Sequence, residues 1–191
     1  MANTTLAKNT AMAPQSIDRK LIHCDESLTL RCLENTTKIH IRTGVDDKKL
    51  RSIIESKLDL ALPRLGEAVT STSLSILSTS PDEWLAITTT ENHQPLLNVL
   101  ELEVKNGHFL SCFDASSATV CFQLDGQAAT QIFSVLTEAN LNPDKFHVNA
   151  CKCIRFAQCS TIVHRTNIKL YNLYIPRSYA SWVWNRIQTV T

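Results

Sequence analysis

Pro176 divides the C-terminal stretch of this chain into two kinds of structure. Its ring fixes φ and removes the amide donor, so the apolar run over 168–175 must stop there as a strand. The run that follows can open a helix. Ser178 is placed to cap that helix. Tyr179, Trp182, Val183 and Ile187 then recur at helical spacing. This spacing predicts that Tyr179 and Trp182 are buried and that Trp184 is rotated away from the core. Arg177 sits beside the positive end of the helix dipole, so it needs a partner elsewhere and is expected, with Trp184, to be partly exposed. Aromatics in such a stretch serve as core or as interface anchors, because Trp, Tyr and Arg are enriched at binding hot spots.

The rest of the chain adds strands joined by short turns. Residues 38–42 alternate polar and apolar, and a short strand fits within 21–32. Residues 72–77 and 84–88 form a hairpin across Ser80-Pro-Asp-Glu83. Further strands are predicted over 109–113, 119–124, 151–156 and 161–164. Asp125-Gly126 reads as a turn. Helical spacing is found over 46–58, with Leu50, Ile53, Ile54 and Leu58. It recurs around Leu96, Leu97, Leu100 and Val104, closed by Asn106-Gly107, and over 127–139, with Ile132, Phe133 and Leu136 inward. Pro63 and Gly66 mark a turn. No strand–helix–strand rhythm appears. The expected fold is therefore α+β, an antiparallel sheet or sheets with about three helices. Residues 1–18, rich in Thr, Asn and Ala, read as a disordered tail, and 19–191 as one domain.

Charge and motifs exclude several functions. A net charge of +1 and a pI of 7.6 provide no attraction to nucleic acid or to an anionic membrane. No apolar run approaches the roughly 18 residues of a membrane span. The start lacks the apolar core of a secretory signal, and seven cysteines then imply reduced thiols in the cytoplasm. Cys151 and Cys153 share one strand face, near His147, Cys159 and His164, and could seed a zinc site. No Cys-x-x-Cys pair supports it, and a cysteine in a buried strand usually acts as a small hydrophobe. Four scattered glycines leave no phosphate or dinucleotide loop. No nucleophile elbow or carboxylate pair is found. No catalytic, cofactor-binding or metal residue is expected in this chain.

Two stretches carry a resemblance. One is Leu62-Pro-Arg-Leu-Gly66-Glu followed by Ser80-Pro-Asp-Glu-Trp84-Leu. The other is Val163-His-Arg165, then Pro176-Arg-Ser-Tyr-Ala180 and Trp184. Together they resemble the gamma-subunit family of heterotetrameric sarcosine oxidase, over roughly 60–187. Phe113-Asp-Ala-Ser116, leading through Phe122-Gln-Leu124 to Gly126, is similar to a segment of the glycine-cleavage aminomethyltransferase. The resemblance implies a fold like the N-terminal folate-binding-type domain of that enzyme. It also implies a complex with alpha, beta and delta subunits, this chain being structural and packed on alpha. Flavins, NAD, tetrahydrofolate and zinc are expected in those partners and no cofactor here. The implied reaction demethylates sarcosine to glycine, forms hydrogen peroxide and passes a one-carbon unit to tetrahydrofolate. An equivalent subunit of an N-methylglutamate dehydrogenase-type complex and a free-standing folate-binding one-carbon module are the alternatives. Leu65, Asn140-Leu-Asn-Pro143 and Ile154 depart from the family pattern. Arg177, Trp184, Arg165, Arg64 and Tyr174 are the interface candidates.

Overall fold

The computed structural model describes residues 22–23, 28–33, 36–44 and 47–190. The tail expected over 1–18 lies outside them. In chain order the elements are β1 Ile22–His23, β2 Leu28–Leu33, β3 Thr36–Thr43, α1 Lys48–Leu58, β4 Ala68–Thr70, β5 Leu74–Ser80, β6 Glu83–Thr89 and α2 Thr90–Lys105. They continue as β7 Leu110–Asp114, β8 Thr119–Gly126, α3 Ala129–Leu136, β9 Cys151–Phe156, β10 Cys159–Asn167, β11 Leu170–Pro176 and α4 Ala180–Val190. A six-stranded sheet runs β1-β2-β8-β11-β10-β9, and a five-stranded sheet runs β4-β5-β6-β3-β7. Neighbours pair antiparallel throughout.

Side chains alternate across a strand, so each sheet offers two faces. Ile39, Ile41, Ile76 and Trp84 of the five-stranded sheet lie under Leu50 and Ile54 of α1 and Leu97 and Leu100 of α2. Its other face, through Leu77, Leu85 and Ile87, meets Cys121, Cys151 and Tyr174 of the six-stranded sheet. The far side of that sheet carries Leu30, Phe122, Val163 and Leu173. These pack against Ile132 and Phe133 of α3 and Val183, Trp184 and Ile187 of α4. The order is helices, sheet, sheet, helices, in which every apolar face is covered by the next layer.

Local sequence explains most boundaries. Asp47 caps α1 by accepting from the Leu50 amide at 2.9 Å. Gly107 follows α2 at φ +85°, a conformation open to glycine. Several expectations need correction. Asp125 and Gly126 stay in β8, where they pair with Leu170 and Leu28. α3 stops at Leu136 because Thr137 is extended. Val104 is exposed, since the inward stripe of α2 ends on Glu103. That carboxylate lies 3.8 Å from the Lys57 amine of α1 and 3.5 Å from His108.

The largest correction concerns α4. Arg177–Tyr179 form a single 3₁₀ turn, so Ser178 lies inside it and does not cap the helix. Counted from Ala180, the apolar stripe is Ala180, Val183, Trp184 and Ile187. Trp184 is therefore 5% exposed and meets the Phe122 ring edge-on at 5.1 Å. Tyr179 and Trp182 are 50% and 48% exposed, the reverse of the expectation.

The turn at Pro63 and the hairpin at Ser80 come together in space. Trp84 donates its indole N–H to the Pro63 carbonyl at 3.1 Å. Arg51 of α1 donates to the carbonyls of Leu62 and Pro63 and stands over the Trp84 ring at 5.4 Å. Gly66, at φ +84°, then turns the chain into β4. Trp84→Phe removes the indole donor and some packing volume, and is expected to cost about 1–2 kcal/mol in urea unfolding.

Candidate functional site

The residues singled out in the sequence mostly hold loops. Arg165 of β10 is buried, with no carboxylate bonded to it among the described residues. Its guanidinium donates to the carbonyls of Pro143 at 3.2 Å, Phe146 at 2.7 Å and Ile168 at 2.7 Å, and lies 5.6 Å from the Tyr171 ring. Its own backbone bonds Ala150 and Asn149. One side chain thus fixes the segment between α3 and β9 and the β10–β11 turn. Spent on carbonyl dipoles inside its own fold, Arg165 is not a surface anchor.

Arg177 does the same job at the surface. Its Nε donates to the Ser117 carbonyl at 2.7 Å, its Nη2 to Ser116 at 3.3 Å, and its amide to Ala118 at 2.9 Å. It is partly exposed, as expected, and its partner is the β7–β8 connection. Ser116 in that connection accepts from the Lys38 amide at 2.9 Å. The Lys38 amine is itself buried and donates to Thr36 at 3.1 Å and, across to the other sheet, to Thr119 at 3.3 Å. Burial pulls its pKa below the ordinary lysine value. The Phe113-Asp-Ala-Ser116 motif is a fastening between the sheets.

Trp184 and Tyr174 also prove to be interior. Burial holds the Tyr174 phenol well above its ordinary pKa. Arg64 is exposed on the Pro63 turn. Cys151 and Cys153 do share a side of β9, but each thiol bonds a carbonyl. Cys151 Sγ donates to Glu67 at 3.2 Å and Ser78 at 3.3 Å, and Cys153 Sγ to Thr79 at 3.8 Å. Burial pushes the Cys151 thiol up to about 12. Among the described residues no group of three or more His, Cys, Asp or Glu is placed to hold a metal ion. His164 is buried with neither ring nitrogen hydrogen-bonded, and that burial lowers its pKa to about 4.

What remains for function is surface. Trp182 stands half out of α4, yet its indole N–H already donates to the Ala157 carbonyl at 2.8 Å. The Arg186 guanidinium lies 5.8 Å from its ring. Tyr179 is three residues before Trp182, on the same side. The sequence held this signal, since Ala180, Val183, Trp184 and Ile187 follow i, i+3, i+4, i+7 and leave Trp182 on the other side. A second patch lies at β7, the edge of the five-stranded sheet, where Phe113 stacks on His40 at 4.8 Å; Phe109, just before that strand, is 81% exposed. Among the described residues no helix is long and apolar enough to cross a membrane.

Comparison with known proteins places these features. A family model described as "Sarcosine oxidase, gamma subunit family" matches residues 42–191. A chain of heterotetrameric sarcosine oxidase from Corynebacterium sp. U-96 superposes with a TM-score of 0.80 at 21% identity. The match covers 89% of this chain and 86% of that one. The glycine cleavage system aminomethyltransferase T from Bartonella henselae superposes with a TM-score of 0.60 at 14% identity, over 84% of this chain and 45% of that one. This chain therefore has the fold of a little under half of that enzyme. No curated protein matches.

Proposed function

We infer the role of this chain from one premise: it belongs to the sarcosine oxidase gamma-subunit family, whose model matches residues 42–191. It is a gamma subunit, one component of an oxidoreductase complex. The match over that span carries the reading. The loop-holding roles of Arg165 and Arg177 fit a chain that serves as a scaffold.

The finer reading is a complex with alpha, beta and delta subunits in the cytoplasm. In it sarcosine and oxygen yield glycine and hydrogen peroxide, and the methyl carbon, oxidised by two electrons, passes to tetrahydrofolate. Flavins, NAD, tetrahydrofolate and zinc are held by the partners, and this chain supplies a rigid surface. Sarcosine is the substrate proposed.

Co-expression of the tagged chain with the other three subunits tests this. The expected result is one co-eluting assembly that releases hydrogen peroxide when given sarcosine. Elution of the tagged chain alone would overturn it.

A further inference from the structure

We propose that the outer side of α4 and the turn before it receive an acidic surface of another subunit of the complex. This rests on the gamma-subunit reading and goes beyond it by naming the face and the chemistry of its partner. Tyr179, Trp182 and Arg186 form one stripe, turned away from the buried Ala180, Val183, Trp184 and Ile187. Trp182 is fixed before any partner arrives. Its only donor is held by Ala157, and Arg186 packs on its ring. A large aromatic with its rotamer already set loses little entropy on docking, which is what an interface anchor requires.

Charge selects the occupant. The chain as a whole is nearly balanced, with 19 basic and 18 acidic residues. The outer helical layer is not balanced. The spans 129–136 and 177–190 contain Arg177 and Arg186 and no carboxylate. Neither arginine has an ion-pair partner among the described residues. A surface carrying Asp or Glu would accept from Arg186 while covering Trp182 and Tyr179. At the β7 patch, by contrast, Arg42 of the adjoining β3 is already paired with Asp82 and Glu83.

The test uses the full-length chain and the remaining subunits expressed without it, with binding followed calorimetrically at low and high salt. Binding of the unaltered chain checks the subunit reading, and its absence would defeat that reading first. Given binding, Arg186→Glu and Tyr179→Ala are each expected to weaken it about tenfold or more. The salt dependence should be smaller for Arg186→Glu than for the unaltered chain. Phe113→Ser should bind as the unaltered chain does. Tyr179 is half-exposed and Arg186 makes one ring contact in its own fold, so thermal melts should shift by no more than a few degrees and separate lost docking from lost folding. Normal binding by both α4 variants, or weakened binding by Phe113→Ser alone, would overturn the proposal.

Discussion

Arg165→Met should lower the melting temperature by about 10 °C, the consequence of roughly 3–5 kcal/mol in a chain of this size. The guanidinium satisfies the buried carbonyl of Phe146 and the part-buried carbonyls of Pro143 and Ile168. Methionine fills much of the volume and donates nothing, so the buried Phe146 carbonyl keeps its desolvation cost without the bond that offsets it, and the two loops lose their common tie. Arg165→Lys should recover only a small part, since an ammonium is a compact charge and cannot span the same fork. The 137–150 connection should then become the first site of proteolysis. A melting temperature for Arg165→Met within about 2 °C of the parent would show that these bonds contribute little.

Acid should destabilise this protein through His164 before its carboxylates titrate. Burial lowers the folded-state pKa to about 4, against 6.5 for the free side chain. The unfolded chain therefore binds the proton first. Stability is fully present above pH 6.5 and falls as pH drops toward 4, with a span of about 3 kcal/mol. His164→Leu should remove this slope. Because neither ring nitrogen has a hydrogen bond to lose, the variant should be at least as stable as the parent at pH 7. Urea midpoints at several pH values between 4 and 7 would decide it. Parallel curves for the two proteins would place the acid sensitivity elsewhere.

The strands were legible because period-two alternation is local, and residues 38–42 and 119–124 show it plainly. Sheet membership was not. β3 joins β6 and β7 in one sheet, while β2, a few residues earlier, pairs with β8 in the other. No local pattern encodes that switch. Trp184 was misjudged for a narrower reason. Trp182 and Trp184 stand two residues apart and so on opposite sides of a helix, and only Trp184 falls on the i, i+3, i+4, i+7 stripe of Ala180, Val183 and Ile187. The duties of Arg165 were invisible for another reason. Its acceptors Pro143 and Phe146 lie some twenty residues away and offer only backbone oxygen, which leaves no mark on composition. The motif stretches were recognisable as a set, but their chemistry became clear only with their partners in view.

The sheet switch also sets an order of events during synthesis. Residues 36–114 build the whole five-stranded sheet from contiguous chain. β2 leaves the ribosome ahead of all of it, yet the strand it needs on its inner side, with Leu30 opposite Leu124, is made only afterwards. Until β8 emerges that edge stays open, so the nascent chain carries an unpaired ladder while the second sheet is finished beside it.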